Sequence, residues 1–137
     1  PGLRYEAASR DCCGGRVYRT RGTAYYPYND RMQGGHFDRR GKKLVTLQDY
    51  LDGKSDYAAV AMDSKVLPYG TAICIPHLNK KYGASIPFRV VDTGGAFRNK
   101  KTSRMDVCTR SKKHSRDAAI NRSFEFIVCE DQRHQIK

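Results

Sequence analysis

Short runs of apolar and β-branched residues, separated by glycine, proline and polar turns, dominate this chain. The bias of FRVV and FEFIVC towards aromatic and β-branched residues is typical of buried strands. Six runs are predicted strands: residues 19–26, 57–62, 71–76, 87–91, 104–109 and 123–129. Turn residues cluster between them, as at 68–70, 81–83 and 93–95. The pattern predicts an all-β fold, a small six-stranded barrel.

Two short helices are predicted to interrupt the strands. Thr46 is a predicted N-cap for residues 47–52, with Asp49 at the third position and Gly53 just after the end. Ser115 is predicted to cap a second turn through residues 117–120. At 137 residues we expect one domain. It divides into an irregular arm (1–18), the barrel (19–130) and a C-terminal tail (131–137).

Composition and charge narrow the class of protein. With 39% hydrophobic and 29% charged residues the chain is globular in type, and no apolar run approaches the ~20 residues that cross a bilayer. The net charge of +12 favours a polyanionic partner: nucleic acid, an anionic membrane surface or the bacterial cell wall. Because the chain begins at Pro1 without Met, we expect a processed precursor or an excised piece.

Five cysteines bear on metal binding and compartment. They are Cys12, Cys13, Cys74, Cys108 and Cys129. None forms a CxxC motif and no His lies at zinc-ligand spacing from them, so we predict neither a metal site nor a cofactor. At most two disulfides can form, with the connectivity open, and the pattern mildly favours an oxidising compartment. A cysteine left free in a strand acts as a small apolar residue.

Three aspartates carry the candidate chemistry, and each follows a short apolar run. Asp63 lies in VAMDSKVLPYGT, Asp92 in VVDTGG and Asp106 in SRMDVC. Carboxylates brought together repel, so one keeps its proton and can act as a general acid. A neighbouring ionised carboxylate can stabilise positive charge at the anomeric carbon of a sugar. The alternative is that each aspartate only caps a turn, as an Asx turn at Asp92 would do.

These three contexts resemble the 3D domain, which is named for three aspartates in this order. That domain is related to the catalytic barrel of the membrane-bound lytic transglycosylase A family. The chain is also similar to the domains of resuscitation-promoting factors and of stationary-phase survival proteins of spore formers. The resemblance covers about residues 19–129 and implies a double-psi β-barrel. By position it implies that Asp106 is the catalytic acid and base, and that Asp63 and Asp92 support it.

The activity implied by this resemblance is cleavage of the MurNAc–GlcNAc β-1,4 bond without water, giving a 1,6-anhydro product. The chain departs from the family pattern after DTGG, where it has Ala96-Phe97-Arg98-Asn99 instead of Ala-Ile-Lys-Gly. The interval from Asp92 to Asp106 is also longer than usual, through a basic stretch at 100–103. We therefore expect a reshaped groove around the aspartates.

Aromatic and turn residues are the candidate substrate contacts. The run TAYYPY resembles the first strand of expansin-like double-psi barrels, and the chain has no Trp. The predicted sugar-stacking faces are Tyr26, Tyr28, Tyr69 and Phe97. The predicted polar groove contacts are Thr93, Gly94, Gly95 and Arg98. Residues 29–41 are too polar and Gly-rich for core and predict a surface loop, from which Asp30, His36 and Asp38 can reach the groove.

The preferred hypothesis is a secreted or periplasmic, monomeric lytic transglycosylase that acts on peptidoglycan glycan strands. Glycoside hydrolysis is the alternative chemistry. The alternative from another class is a non-catalytic barrel that binds cell wall or polysaccharide, favoured by the altered stretch after DTGG. A nucleic-acid binder explains the charge, but acids in the groove would repel phosphate; we therefore do not expect a nucleic-acid partner.

Overall fold

The structure is a computed structural model that describes residues 15–27, 37–94 and 97–129. Several predictions fall outside these ranges and are not described. They concern the arm up to residue 14, Tyr28, Asp30, His36, Gly95 and the tail from residue 130.

Six strands close into a ring, which confirms the predicted mostly-β architecture. They are β1 (Gly15–Tyr25), β2 (Ala58–Ala61), β3 (Thr71–Cys74), β4 (Phe88–Asp92), β5 (Arg104–Cys108) and β6 (Ser123–Cys129). Their order around the ring is β1-β5-β2-β4-β3-β6, and β6 pairs with β1. The pairs β1–β5 and β2–β4 are parallel and the other four are antiparallel. Strand β1 starts four residues before the predicted strand, because residues 15–18 pair with residues 126–129 of β6.

The described residues contain two α-helices, one as predicted and one elsewhere. Helix α1 (Leu47–Leu51) has the predicted capping box between Thr46 and Asp49. The second, α2 (Pro76–Tyr82), lies where a strand end and a turn were predicted, with proline at its start and Gly83 as a left-handed cap. The predicted turn through residues 117–120 is present, closed by hydrogen bonds from Ile120 and Asn121 to the carbonyl of Asp117, but Ser115 does not cap it: this residue lies inside a 3₁₀ turn, His114–Arg116.

Alternating strand positions form two apolar layers. The larger layer draws residues from all six strands and therefore fills the ring, with Phe88, Val60 and Phe126 fully buried. The smaller layer lies on the outer face and contains Leu44, Ala59, Tyr69, Val91 and Cys108. Residues 37–45 cover this outer face, with backbone hydrogen bonds from Arg39 to Val91 and from Ala59 to Val45. Part of the outer face of β1, β5, β2 and β4 is therefore shielded from water.

Candidate functional site

Two of the three aspartates lie in one row across the outer face of four strands. Thr23 of β1 is opposite Asp106 of β5, and Ala61 of β2 is opposite Asp106 on one side and Asp92 of β4 on the other. A register shift between Val60 and Ala61 brings Asp92 to this position. Directly opposed residues share a face, so Asp92 and Asp106 flank the small side chain of Ala61. Two strand spacings put their backbones about 10 Å apart.

Asp106 is half-buried and has a single hydrogen-bond partner among the described residues. Burial raises the pKa of its carboxyl group, against the opposing charge of Arg104. The Thr23 hydroxyl hydrogen-bonds Asp106 Oδ1 and lies 3.5 Å from the carbonyl oxygen of Met105. A hydroxyl can donate to an ionised carboxylate or accept from a protonated one. Thr23 can therefore satisfy Asp106 in both protonation states.

Asp92 is contacted by Tyr25, which lies on β1 two residues after Thr23. Burial raises the pKa of Asp92, although the N–H of Thr93 and the Tyr25 hydroxyl, 3.4 Å from Oδ2, act to lower it. The Tyr25 hydroxyl also hydrogen-bonds Cys108, a buried free thiol whose pKa burial raises to about 12. Cys108 thus stays neutral, and Tyr25 links it to Asp92.

Asp63 has the opposite electrostatics. Its Oδ1 accepts the N–H of Lys65 and its Oδ2 accepts the N–H of Lys101, each at 3.0 Å. These two hydrogen bonds lower the pKa of Asp63, so the carboxylate stays ionised. The side chain is 5% exposed. Asp63 therefore ties the loop before β5 to the turn after β2, and both of its carboxylate oxygens accept backbone N–H groups.

The basic stretch between Asp92 and Asp106 folds into consecutive turns. Backbone N–H groups of Phe97, Lys100 and Ser103 each donate to the carbonyl three residues earlier. Asn99 and Lys101 have positive φ, 61° and 54°. This region costs an L-residue about 1–2 kcal/mol. The bond from Lys101 to Asp63 offsets part of that cost, so Asp63 helps to hold this basic stretch in place.

A cleft of about 430 Å³ opens beside this loop. Its lining residues are Asp63, Ser64, Lys65, Thr93, Gly94, Arg98 and Asn99. Three predicted groove contacts, Thr93, Gly94 and Arg98, are thus brought together. The cleft begins directly after Asp92, and its charged groups are Arg98, Lys65 and the internally bonded Asp63. It suits a polar or anionic polymer more than an apolar ligand.

The predicted stacking residues are mostly packed against protein groups. Tyr69 is 9% exposed, and the guanidinium carbon of Arg40 lies 4.1 Å from its ring centroid. Phe97 is 4% exposed, with Arg104 5.7 Å from its centroid. Tyr26 is half-buried at the end of β1. Tyr69 and Phe97 therefore leave little ring surface for a sugar in this conformation.

Asp38 is buried within the described end of the predicted surface loop, whereas residues 37 and 39–41 are exposed as predicted. It is 6% exposed, accepts the Tyr69 hydroxyl at 2.6 Å, and accepts the N–H groups of Arg40 and Lys42 at 2.9 Å each. Its charge also contributes to the raised pKa of Asp92. An Asx-type turn with its carboxylate turned inward explains why this one acidic residue of an exposed, polar segment is buried.

The sequence analysis did not assign roles to Thr23 and Tyr25, which contact the two aspartates. The available signal was the period-two alternation of β1, since Arg21, Thr23 and Tyr25 share one face.

Comparisons of the chain with protein-family models and with curated proteins find no match. Among the described residues, no cluster of three or more His, Cys, Asp or Glu is suited to a metal ion. No helix in the described ranges has the length and apolarity to span a membrane.

Proposed function

We propose that this protein is a peptidoglycan-cleaving enzyme of the lytic-transglycosylase type, with Asp106 as general acid and base. The observation that carries the proposal is the Asp92–Asp106 pair, in which burial raises both pKa values on either side of Ala61. A carboxyl group with a raised pKa keeps its proton to higher pH than an ordinary aspartate does, and can give it to a leaving group.

The reaction needs a single proton donor that later becomes the acceptor. Protonated Asp106 gives its proton to the oxygen between MurNAc and GlcNAc, and the bond from C1 to that oxygen breaks. The Asp106 carboxylate then takes the proton of the muramic C6 hydroxyl as its oxygen bonds to C1, which closes the 1,6-anhydro ring. Asp92, when ionised, stabilises the positive charge at C1. Thr23 turns its hydroxyl to match each state of Asp106.

The cleft is the proposed binding site for the glycan strand. Thr93 and Gly94 follow Asp92 directly, and Arg98 lines the same cleft. The positive net charge favours attraction to an anionic wall. Cys74 and Cys129 each take part in a disulfide. Disulfides persist in oxidising compartments, which supports a secreted or periplasmic location.

The double-psi β-barrel is the proposed form of the ring. Strand β1 pairs in parallel with β5, and β2 pairs in parallel with β4. In the order of strands around the ring, β5 separates β1 from β2, so that strands of the two halves alternate. This interleaving supports the crossed connections of a double-psi barrel.

Digestion of purified sacculi in ¹⁸O-water tests the activity and separates it from hydrolysis. We expect 1,6-anhydromuropeptides without ¹⁸O, detected by mass spectrometry, because the oxygen that closes the ring belongs to the substrate. Reducing-end products carrying ¹⁸O would replace the proposal with hydrolysis. Asp106→Asn should abolish the products, whereas Asp56→Asn, an exposed aspartate outside the row, should not.

A non-catalytic wall-binding barrel is the second candidate. Two backbone N–H groups occupy the carboxylate of Asp63, so only Asp92 and Asp106 are left for chemistry. This favours a barrel that binds without cleaving. Sedimentation with sacculi in the absence of any product, unchanged by Asp106→Asn, would support this candidate over the enzyme.

A further inference from the structure

Two arginines lie directly opposite each other on the face that carries Asp106. Arg21 of β1 pairs in register with Arg104 of β5. Each lies two residues before Thr23 or Asp106 on its strand and therefore shares their face. Neighbouring strands are about 4.8 Å apart. Like charges placed directly opposite destabilise a sheet, so this pair costs stability in the free protein.

Neither arginine forms a salt bridge with an acid within the described residues, although the charge of Arg104 acts on Asp106. Arg21 faces Ser123 on its other side, whereas its neighbour Arg19 faces Glu125. The ion pairs formed by Arg110 with Asp49 and Asp52 do not involve Arg21 or Arg104. Arg21 is exposed, and Arg104 is half-buried over the ring of Phe97. The pair is therefore a fixed positive site open to an external group.

The arginine pair adjoins the proposed reaction site and the cleft. Two residues along a strand span about 6.6 Å, so the pair lies one such step from Asp106. Phe97, which supports Arg104, is the chain neighbour of Arg98 in the cleft lining. A polymer bound in the cleft with its scissile bond at Asp106 would bring a substituent of the next group to the two guanidinium groups.

We propose that Arg21 and Arg104 form a subsite for an anionic group of the polymer, either a carboxylate or a phosphodiester. Guanidinium groups bind both through paired, charge-assisted hydrogen bonds. This inference rests on the proposed function for its substrate and extends it to a charge requirement. In muramic acid the carboxylate is that of the lactyl ether, free where no peptide is attached; the phosphodiester is that of wall teichoic acid.

Binding measured without turnover tests the subsite. Glycan strands freed of peptide and teichoic acid are compared before and after their carboxylates are converted to neutral amides, and a glycerol-phosphate polymer is used as competitor. Asp106→Asn serves as the parent chain so that no strand is cleaved during the measurement. We expect Arg21→Gln and Arg104→Gln each to weaken binding to the charged strands roughly fivefold, and the double variant to weaken it further.

Arg19→Gln is the matched control, since it removes the same charge from the same strand and face but faces Glu125. It should change affinity less than twofold, and amidated strands should bind all variants alike. If the phosphate polymer competes with the strands for the parent but not for Arg21→Gln or Arg104→Gln, the anion is identified as a phosphodiester. Equal effects of Arg19→Gln and Arg21→Gln would overturn the subsite. Equal binding of charged and amidated strands by the parent, together with competition by the phosphate polymer that does not depend on the two arginines, would also overturn it.

The two proposals fail separately. Arginine-dependent binding by a protein that yields no anhydro product would retain the subsite and reject the enzyme. Anhydro products made equally well by Arg21→Gln and Arg104→Gln, on charged and amidated strands, would retain the enzyme and reject the subsite.

Discussion

Asp63 and Asp106 follow similar apolar runs, yet their surroundings give them opposite charge behaviour. Asp63 accepts two backbone N–H groups, which lower its pKa, whereas Asp106 has one hydroxyl partner and a pKa raised by burial. Backbone donors are fixed and cannot follow a proton that leaves or returns. A hydroxyl can turn. The partner of a carboxylate, more than its place at a strand end, therefore decides whether the group only holds a loop or is able to gain and lose a proton.

The largest expected effect is on turnover by Asp106→Asn. Removal of the proton donor should lower the release of anhydro products by about 10²–10⁴-fold, because general acid–base assistance is of that order. Initial rates on sacculi, with circular dichroism to check folding, measure this. Asp63→Asn should cost much less activity, and an equal loss in both variants would erase the distinction between the two aspartates.

Thr23→Val should lower kcat by about tenfold with little change in KM. The substitution keeps the shape of Thr23 and removes the hydroxyl that bonds Asp106, a charge-assisted contact. Thr23→Ser restores a hydroxyl and should recover most of the rate. A structural role alone would instead lower the Tm of Thr23→Val while leaving kcat close to that of the parent.

Stability should change in opposite directions at the two aspartates. At pH 7, Asp106→Asn removes a half-buried carboxyl group whose charged form burial disfavours, and should raise Tm, by roughly 4 °C for each kcal/mol gained in a chain of this size. Asp63→Asn weakens the two backbone hydrogen bonds and should lower Tm. Differential scanning calorimetry measures both, and shifts of the same sign would contradict the comparison.

The pH dependence of stability follows the same signs. The pKa of Asp63 is lowered by its backbone partners, so its contribution is present above the unfolded value of about 3.9 and is lost as pH falls through the folded pKa. Burial raises the pKa of Asp106, so its contribution is present below that value and is lost as pH rises through the folded pKa. Urea unfolding midpoints measured from pH 2 to 8 in each Asn variant test these signs. Asp63→Asn should lose the part of the profile in which stability falls as pH falls, and Asp106→Asn should lose the part in which stability falls as pH rises.

The smallest expected effect is a displaced pH profile in Arg104→Gln. The charge of Arg104 lowers the pKa of Asp106, so its removal should move the alkaline limb of kcat/KM to higher pH. Arg19→Gln should leave the limb in place. A limb that moves to lower pH, or that moves equally in both variants, would show that Asp106 does not govern it.

The sequence was sufficient for the six strands, but not for the register that aligns Asp92 with Asp106 or for the partner of Asp63. Apolar alternation predicted six strands because each buries at least one face. The hydrogen bond from Lys101 to Asp63 depends on Lys101 having φ 54°, and no glycine in the sequence indicates a turn at this position. Helix α2 was missed because Pro76 was assigned to a strand end. Pro at its first turn and Gly83 after its last were signals that favoured the helix.

The pairing of β1 with β5 and β6 also determines when the ring can close during synthesis. Both neighbours of β1 come from residues 104–129, so β1 waits unpaired until those residues have left the ribosome. Pairing between such distant segments is slow, in the range of milliseconds to seconds for β folds. Until then Thr23 and Asp106 are on separate parts of the chain, and the proposed proton-transfer site does not exist. A nascent or translocating chain would therefore be inactive until its last strand is in place.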